Sequence, residues 1–164
     1  MSYLILILSV AIGTFLVFVF KPSSKITRLL LAFSGAYLLS VTVLHLLPEV
    51  YQHSENTKLI GVLILAGVII QSILESFSKG AEHGHIHQHS DDKKFPSLLF
   101  ISLCVHAFSE GIPITNNTDL LWAIVVHKIP IAIVLTSFFI HANYSKKHIF
   151  IYLSIFAYFN YYSL

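Results

Sequence analysis

Leu120-Leu121-Trp122-Ala123-Ile124-Val125-Val126-His127-Lys128-Ile129-Pro130-Ile131-Ala132-Ile133-Val134-Leu135-Thr136-Ser137-Phe138-Phe139-Ile140-His141 is an apolar run broken near its middle by a histidine, a lysine and a proline. A hydrocarbon core of roughly 30 Å takes about 20 helical residues to cross, so this stretch is long enough to do so. Five further runs resemble it in length and character, at about 2–20, 28–47, 59–77, 95–114 and 148–163. None alternates strictly as a membrane barrel strand would, and each is longer than such a strand needs. Helices and closed barrels are the only architectures that satisfy every backbone group inside lipid. The expected fold is therefore all-α: a polytopic transmembrane helical bundle of about six helices, with residues 1–164 as one integral membrane domain. The first run has no basic segment before it and is too long for an ordinary signal-peptide core, so it is kept as a helix.

Composition points the same way. The chain of 164 residues is 55% hydrophobic and 11% charged, with a mean hydropathy of +0.77. A soluble domain carries about 25% charged residues, so a soluble globular enzyme is excluded. The formal charge is +2, and no basic block is interleaved with aromatics, so nucleic acid is not an expected partner. Cys104 is the single cysteine and lies in an apolar run, which removes both an internal disulfide and a thiolate metal cage. Histidine is abundant, with ten residues.

The connections set an orientation. Lys21, Lys25, Arg28, Lys79, Lys93, Lys94, Lys146 and Lys147 fall on one side, eight basic residues against Lys58 alone on the other. The positive-inside bias then places the N-terminus outside and the loop of about 78–94 in the cytoplasm. That loop reads Glu82-His83-Gly84-His85-Ile86-His87-Gln88-His89-Ser90-Asp91-Asp92. Imidazoles at His83, His85, His87 and His89 suit Zn, Cu, Ni or Fe, although a tract of this kind imposes little geometry. A His-rich polar linker is the plainer alternative. Asn116-Asn117-Thr118 is a glycosylation sequon, with meaning only in a host that modifies outward loops.

Two ionisable residues interrupt apolar runs far from any loop, Glu110 and Lys128. Each costs about 2.5–3.5 kcal/mol at a helix centre, and such residues usually face the bundle interior in pairs or along an ion path. His106 and Glu110 are spaced i and i+4, one above the other on a helix face. Pro113 and Pro130 lack an N–H and release the carbonyls of Ser109 and Val126. Counting back from a turn near Asn117, His106 falls opposite His127 and Lys128. His106, Glu110 and His127, with a weaker contribution from Ser109, form the expected ion site. Lys128 either pairs with Glu110 or fills space where another cation would sit. His45 and Glu49 repeat the i, i+4 pattern at the end of the second run; with His53 and Glu55 they would gather cations at the outer mouth, or simply supply the polar groups that an interfacial helix end needs.

Together, Ser34-Gly35-Ala36-Tyr37-Leu38 leading to His45-Leu46-Leu47-Pro48-Glu49, then His106-x-x-x-Glu110-Gly111, then His127-x-x-Pro130, resemble the second, fourth and fifth helices of the ZIP (Zrt/Irt-like) family of divalent metal transporters. The likeness covers roughly residues 30–135 and rests on the order, spacing and membrane side of short motifs. It implies uptake of zinc or a related ion into the cytoplasm by elevator-like alternating access, with His106, Glu110 and His127 as the primary metal site. The family has eight transmembrane helices where this chain offers six. It also often has Asn where Ala107 stands, an acid where Lys128 stands, and His or Glu where Ile131 stands. The departures imply that a second, neighbouring metal is absent, with Lys128 supplying its charge.

The functional expectation is thus a divalent cation transporter, Zn first and Fe or Mn after it, in a plasma or bacterial inner membrane. It is not an enzyme and takes no cofactor besides the cation it carries. Its partners are the metal ion and the lipid bilayer, and a homodimer that supplies the missing helices is an option the sequence leaves open. The rival readings are a metal-binding or sensing protein that does not transport, and an exporter of the cation diffusion facilitator kind. Against the second, the paired His and Asp motifs and the cytoplasmic C-terminal domain of such exporters are missing. A membrane metalloenzyme is disfavoured because no His-Glu-x-x-His run occurs.

Overall fold

The computed structural model describes residues 2–78, 97–112 and 118–161. Among these residues every regular element is helical. They are α1 (Ser2–Phe20), α2 (Ser24–Val41), α3 (Leu47–Gln52), α4 (Thr57–Ser78), α5 (Ser97–Gly111), α6 (Thr118–His141) and α7 (Lys146–Tyr161). A π-helical turn, Thr42–Leu46, joins α2 to α3, so the described residues form six continuous helical rods. Three of them, Ser24–Gln52, Thr57–Ser76 and Thr118–His141, are long and apolar enough to cross a membrane; Leu4–Phe20 is apolar but shorter. The second rod is longer than expected at both ends. The His-rich tract, Pro113, Asn116 and Asn117 lie outside the described residues.

Local chemistry accounts for the breaks. α1 stops where Lys21 turns to a positive φ of 45°, and Pro22 follows it. Ser23 then caps α2, its Oγ accepting from the Ile26 N–H at 3.4 Å. Pro48 has no N–H to give the Leu44 carbonyl. The turn before it is widened, and the Leu47 N–H reaches back five residues to the Thr42 carbonyl. At the end of α6, Asn143 takes a left-handed φ of 58°. Its N–H and that of Tyr144 bond the carbonyls of Ile140 and Phe139, both at 3.0 Å. The Tyr144 ring packs edge-on to Phe139 with centroids 5.5 Å apart, which completes a Schellman cap.

α6 is the axis of the bundle and packs against α1, α2 and α7, while α5 lies against α4 and α7. Gly13 makes the α1–α6 crossing close. A Cβ there would stand 2.5 Å from the Ile129 carbonyl oxygen and 2.7 Å from Ala132 Cβ. α5 reaches α6 through side chains: Phe100, Leu103, Cys104 and Ala107 share a buried core with Ile131, Leu135 and Phe139 of α6 and Leu153 and Phe156 of α7. Phe139 stacks on Tyr152 at 5.2 Å and tilts against Phe100 at 6.3 Å, which ties the three helices together at one level. The polar site lies between α5 and α6, flanked by α2 and α4.

Candidate metal centre

α5 presents His106 and Glu110 on one face, as their i, i+4 spacing requires, and α6 presents His127 and Lys128 from the opposite side. His106 Nε2 is 3.1 Å and His127 Nε2 is 3.5 Å from the same atom, Glu110 Oε1. The two imidazoles are set edge to face with centroids 6.4 Å apart. One ligand atom from each of the three residues lies within 4.8 Å of the others, and among the described residues no other group of three His, Cys, Asp or Glu side chains converges in this way. The three side chains are 13%, 9% and 14% exposed, and the His106 Nε2 and Glu110 Oε1 atoms themselves are buried.

The other carboxylate oxygen is committed elsewhere. Lys128 Nζ, on a wholly buried side chain, donates to Glu110 Oε2 at 2.5 Å. The Phe156 ring of α7 covers the ammonium at 5.3 Å, a cation–π contact that offsets part of the desolvation cost. Of the two roles expected for Lys128, the structure places it as the partner of Glu110. Glu110 can therefore offer a cation Oε1 alone. That oxygen is buried and receives no hydrogen bond from any described residue.

The proton positions on the two rings follow from their outer neighbours. His106 Nδ1 is 3.3 Å from Oε1 of Gln71 on α4, an amide oxygen that only accepts, so Nδ1 carries the proton. His127 Nδ1 is 3.2 Å from Ser34 Oγ on α2. The Ser34 hydroxyl donates its single hydrogen to the Leu31 carbonyl at 3.1 Å and is left to accept from Nδ1–H. In both neutral rings Nε2 then carries a lone pair. With both rings neutral, two nitrogen lone pairs and a carboxylate oxygen face one another, an arrangement that a cation at its centre, a metal ion or a proton, relieves.

The dimensions fit a small transition-metal ion. Ligand atoms about 2.0–2.1 Å from a tetrahedral zinc are about 3.3 Å apart, close to the 3.1 and 3.5 Å edges found here. Two imidazoles and one monodentate carboxylate suit Zn, Fe or Co, whereas Ca and Mg need six or more oxygens. Three protein donors leave a fourth position open for exchange, unlike a closed structural site.

The remaining expected residues are placed elsewhere. Ser109 does not join the site: it is exposed, and its hydroxyl donates to the His106 carbonyl of its own helix at 2.8 Å. His45 sits in the π turn, exposed, with Nδ1 3.9 Å from Oδ2 of Asp119 in the first turn of α6. Glu49 is exposed on α3, and its carbonyl is 2.8 Å from His53 Nδ1. The loop histidines His83, His85, His87 and His89 fall outside the described residues. Ser34 and Gln71 are residues to which the sequence assigned no role at the site, although Ser34 opens the motif quoted from the second run. Gln71 had one signal, a lone amide deep in an otherwise apolar run.

Compared with protein-family models, curated proteins and solved structures, the chain has no match in any of the three.

Proposed function

We propose that this protein is an integral membrane carrier of ZIP-like character. It takes a divalent transition-metal ion, Zn²⁺ first and Fe²⁺ or Mn²⁺ after it, through the site made by His106, Glu110 and His127, and moves it toward the cytoplasm by alternating access. Three rods long and apolar enough to cross a bilayer support the membrane setting. The observation that carries the metal reading is the convergence of two imidazole nitrogens on one carboxylate oxygen that no donor satisfies. Shedding its waters, the ion gains two nitrogens and one oxygen, and the open fourth position lets it leave again. Lys128 holds the carboxylate monodentate and supplies a fixed positive charge beside the site. A single ion per site follows from that charge.

The test is Glu110→Gln in the full chain, with zinc affinity measured on purified protein and uptake measured in proteoliposomes. Loss of the charged oxygen should weaken binding at least tenfold and abolish uptake. Unchanged affinity and flux would remove the proposed role. Direction of flux separates this reading from an exporter, and binding without flux would identify a sensor in place of a carrier.

A further inference from the structure

We infer that Gln71 and Ser34 are positioning residues for the metal site: from two helices that carry no ligand, they fix the tautomer and ring orientation of His106 and His127. The inference rests on the metal reading above and adds to it the groups that make the site competent. Polar side chains in these helices ordinarily bond their own backbone. Thr42 Oγ1 donates to the Leu38 carbonyl at 2.9 Å, Ser72 Oγ to Val68 at 2.9 Å, and Ser109 Oγ to His106 at 2.8 Å. Gln71 and Ser34 also reach across to another helix, Ser34 while donating to its own Leu31 carbonyl. Gln71 Oε1 takes the Nδ1 of α5's imidazole, and Ser34 Oγ, buried against α6, takes that of the other ring. The ligand pair on α5 and α6 is thus held from both flanks, by α4 and by α2.

The consequence is chemical as well as geometric. A neutral imidazole that donates Nδ1–H to an oxygen presents the lone pair of Nε2, the atom that faces Glu110 Oε1 in both rings. The same bond raises the basicity of the ligating nitrogen, and losing such an outer partner typically costs about 10–100-fold in metal affinity. A ring without it is free to turn or to exchange tautomers and point an N–H at the ion.

Zinc affinity of the purified full chain, read by chelator competition, tests this with Gln71→Leu and Ser34→Ala against Gln71→Glu and Ser34→Thr. The first two should each weaken zinc by about 10–100-fold. The latter two retain an acceptor oxygen and should restore binding, with Gln71→Glu at least as tight as the unaltered chain. A second measurement needs no variant at the outer positions: ¹⁵N spectra of the metal-free protein, with signals assigned by their loss in His106→Asn and His127→Asn, should show both rings protonated on Nδ1. Wild-type affinity in both Gln71→Leu and Ser34→Ala would overturn the inference, as would an Nε2–H tautomer in both rings. If Glu110→Gln still abolishes binding in that case, the metal reading stands without it. An unaltered chain that binds no zinc overturns both.

Discussion

α4 and α6 share a mean hydropathy of 2.1, yet 72% of the apolar window of α6 is buried within the protein and only 6% of that of α4. Hydropathy measures the drive to leave water, and lipid tails are as apolar as leucine, so it does not distinguish a helix that packs on protein from one that faces lipid. The difference lies in how small and polar residues are distributed. α6 offers Ala123 and Ala132 for close approach and buries Lys128 and Thr136. α4 surrounds its Gln71 with exposed Ile69, Ile70 and Ile73, and a Cβ added at Gly61 or Gly67 meets nothing within 4 Å. Here the inner helix carries His127 and Lys128, the latter paired with Glu110 of α5, and the outer helix lends one amide to His106.

The sharpest way to break this contrast is Lys128→Met. Removing one partner leaves the Glu110 charge uncompensated inside the bundle and should cost about 3–5 kcal/mol, read as a lowered melting temperature in detergent. Zinc should recover part of that loss by mass action, raising the melting temperature more in the variant than in the unaltered chain. Adding Glu110→Gln should regain most of the stability and none of the zinc response. A variant as stable as the parent, with an unchanged zinc response, would mean that the pair is not buried as described.

A smaller effect separates the two helices by their glycine contacts. Gly13→Ala forces a methyl group into the Ile129 carbonyl and Ala132, and overpacking of this kind should cost about 1–3 kcal/mol. Gly61→Ala and Gly67→Ala on α4 enter open space and should change stability by less than about 1 kcal/mol, in the favourable direction. Equal effects at Gly13 and Gly61 would erase the distinction between inner and outer helix.

Much of this contrast was hidden in the sequence, for definable reasons. The apolar rods were legible because length and hydropathy are local. His106 and Glu110 were legible because the i, i+4 spacing fixes a shared face, and His127 because it adjoins Lys128 and stands three residues before Pro130, residues that an apolar helix otherwise avoids. Ser34 was not, since nothing local separates it from Ser40 or Ser72; only the packing of α2 on α6 aims it at His127. Ser109 misled because its place between His106 and Glu110 says nothing about its hydroxyl, which the His106 carbonyl already takes. The π turn beside Pro48 was also beyond reach, because a proline predicts a lost hydrogen bond without saying how the helix absorbs it.

The central claim, that His106, Glu110 and His127 together hold one dication, is tested most directly by zinc-edge X-ray absorption. The chain would carry glutamine at His83, His85, His87 and His89, so that the loop tract cannot contribute. The account predicts about one zinc per chain, a first shell of nitrogen and oxygen at about 2.0–2.1 Å, outer-shell scattering from two imidazoles, and loss of that signal in His106→Ala. A sulfur shell at about 2.3 Å, an all-oxygen shell, or a spectrum unaltered by His106→Ala would contradict it.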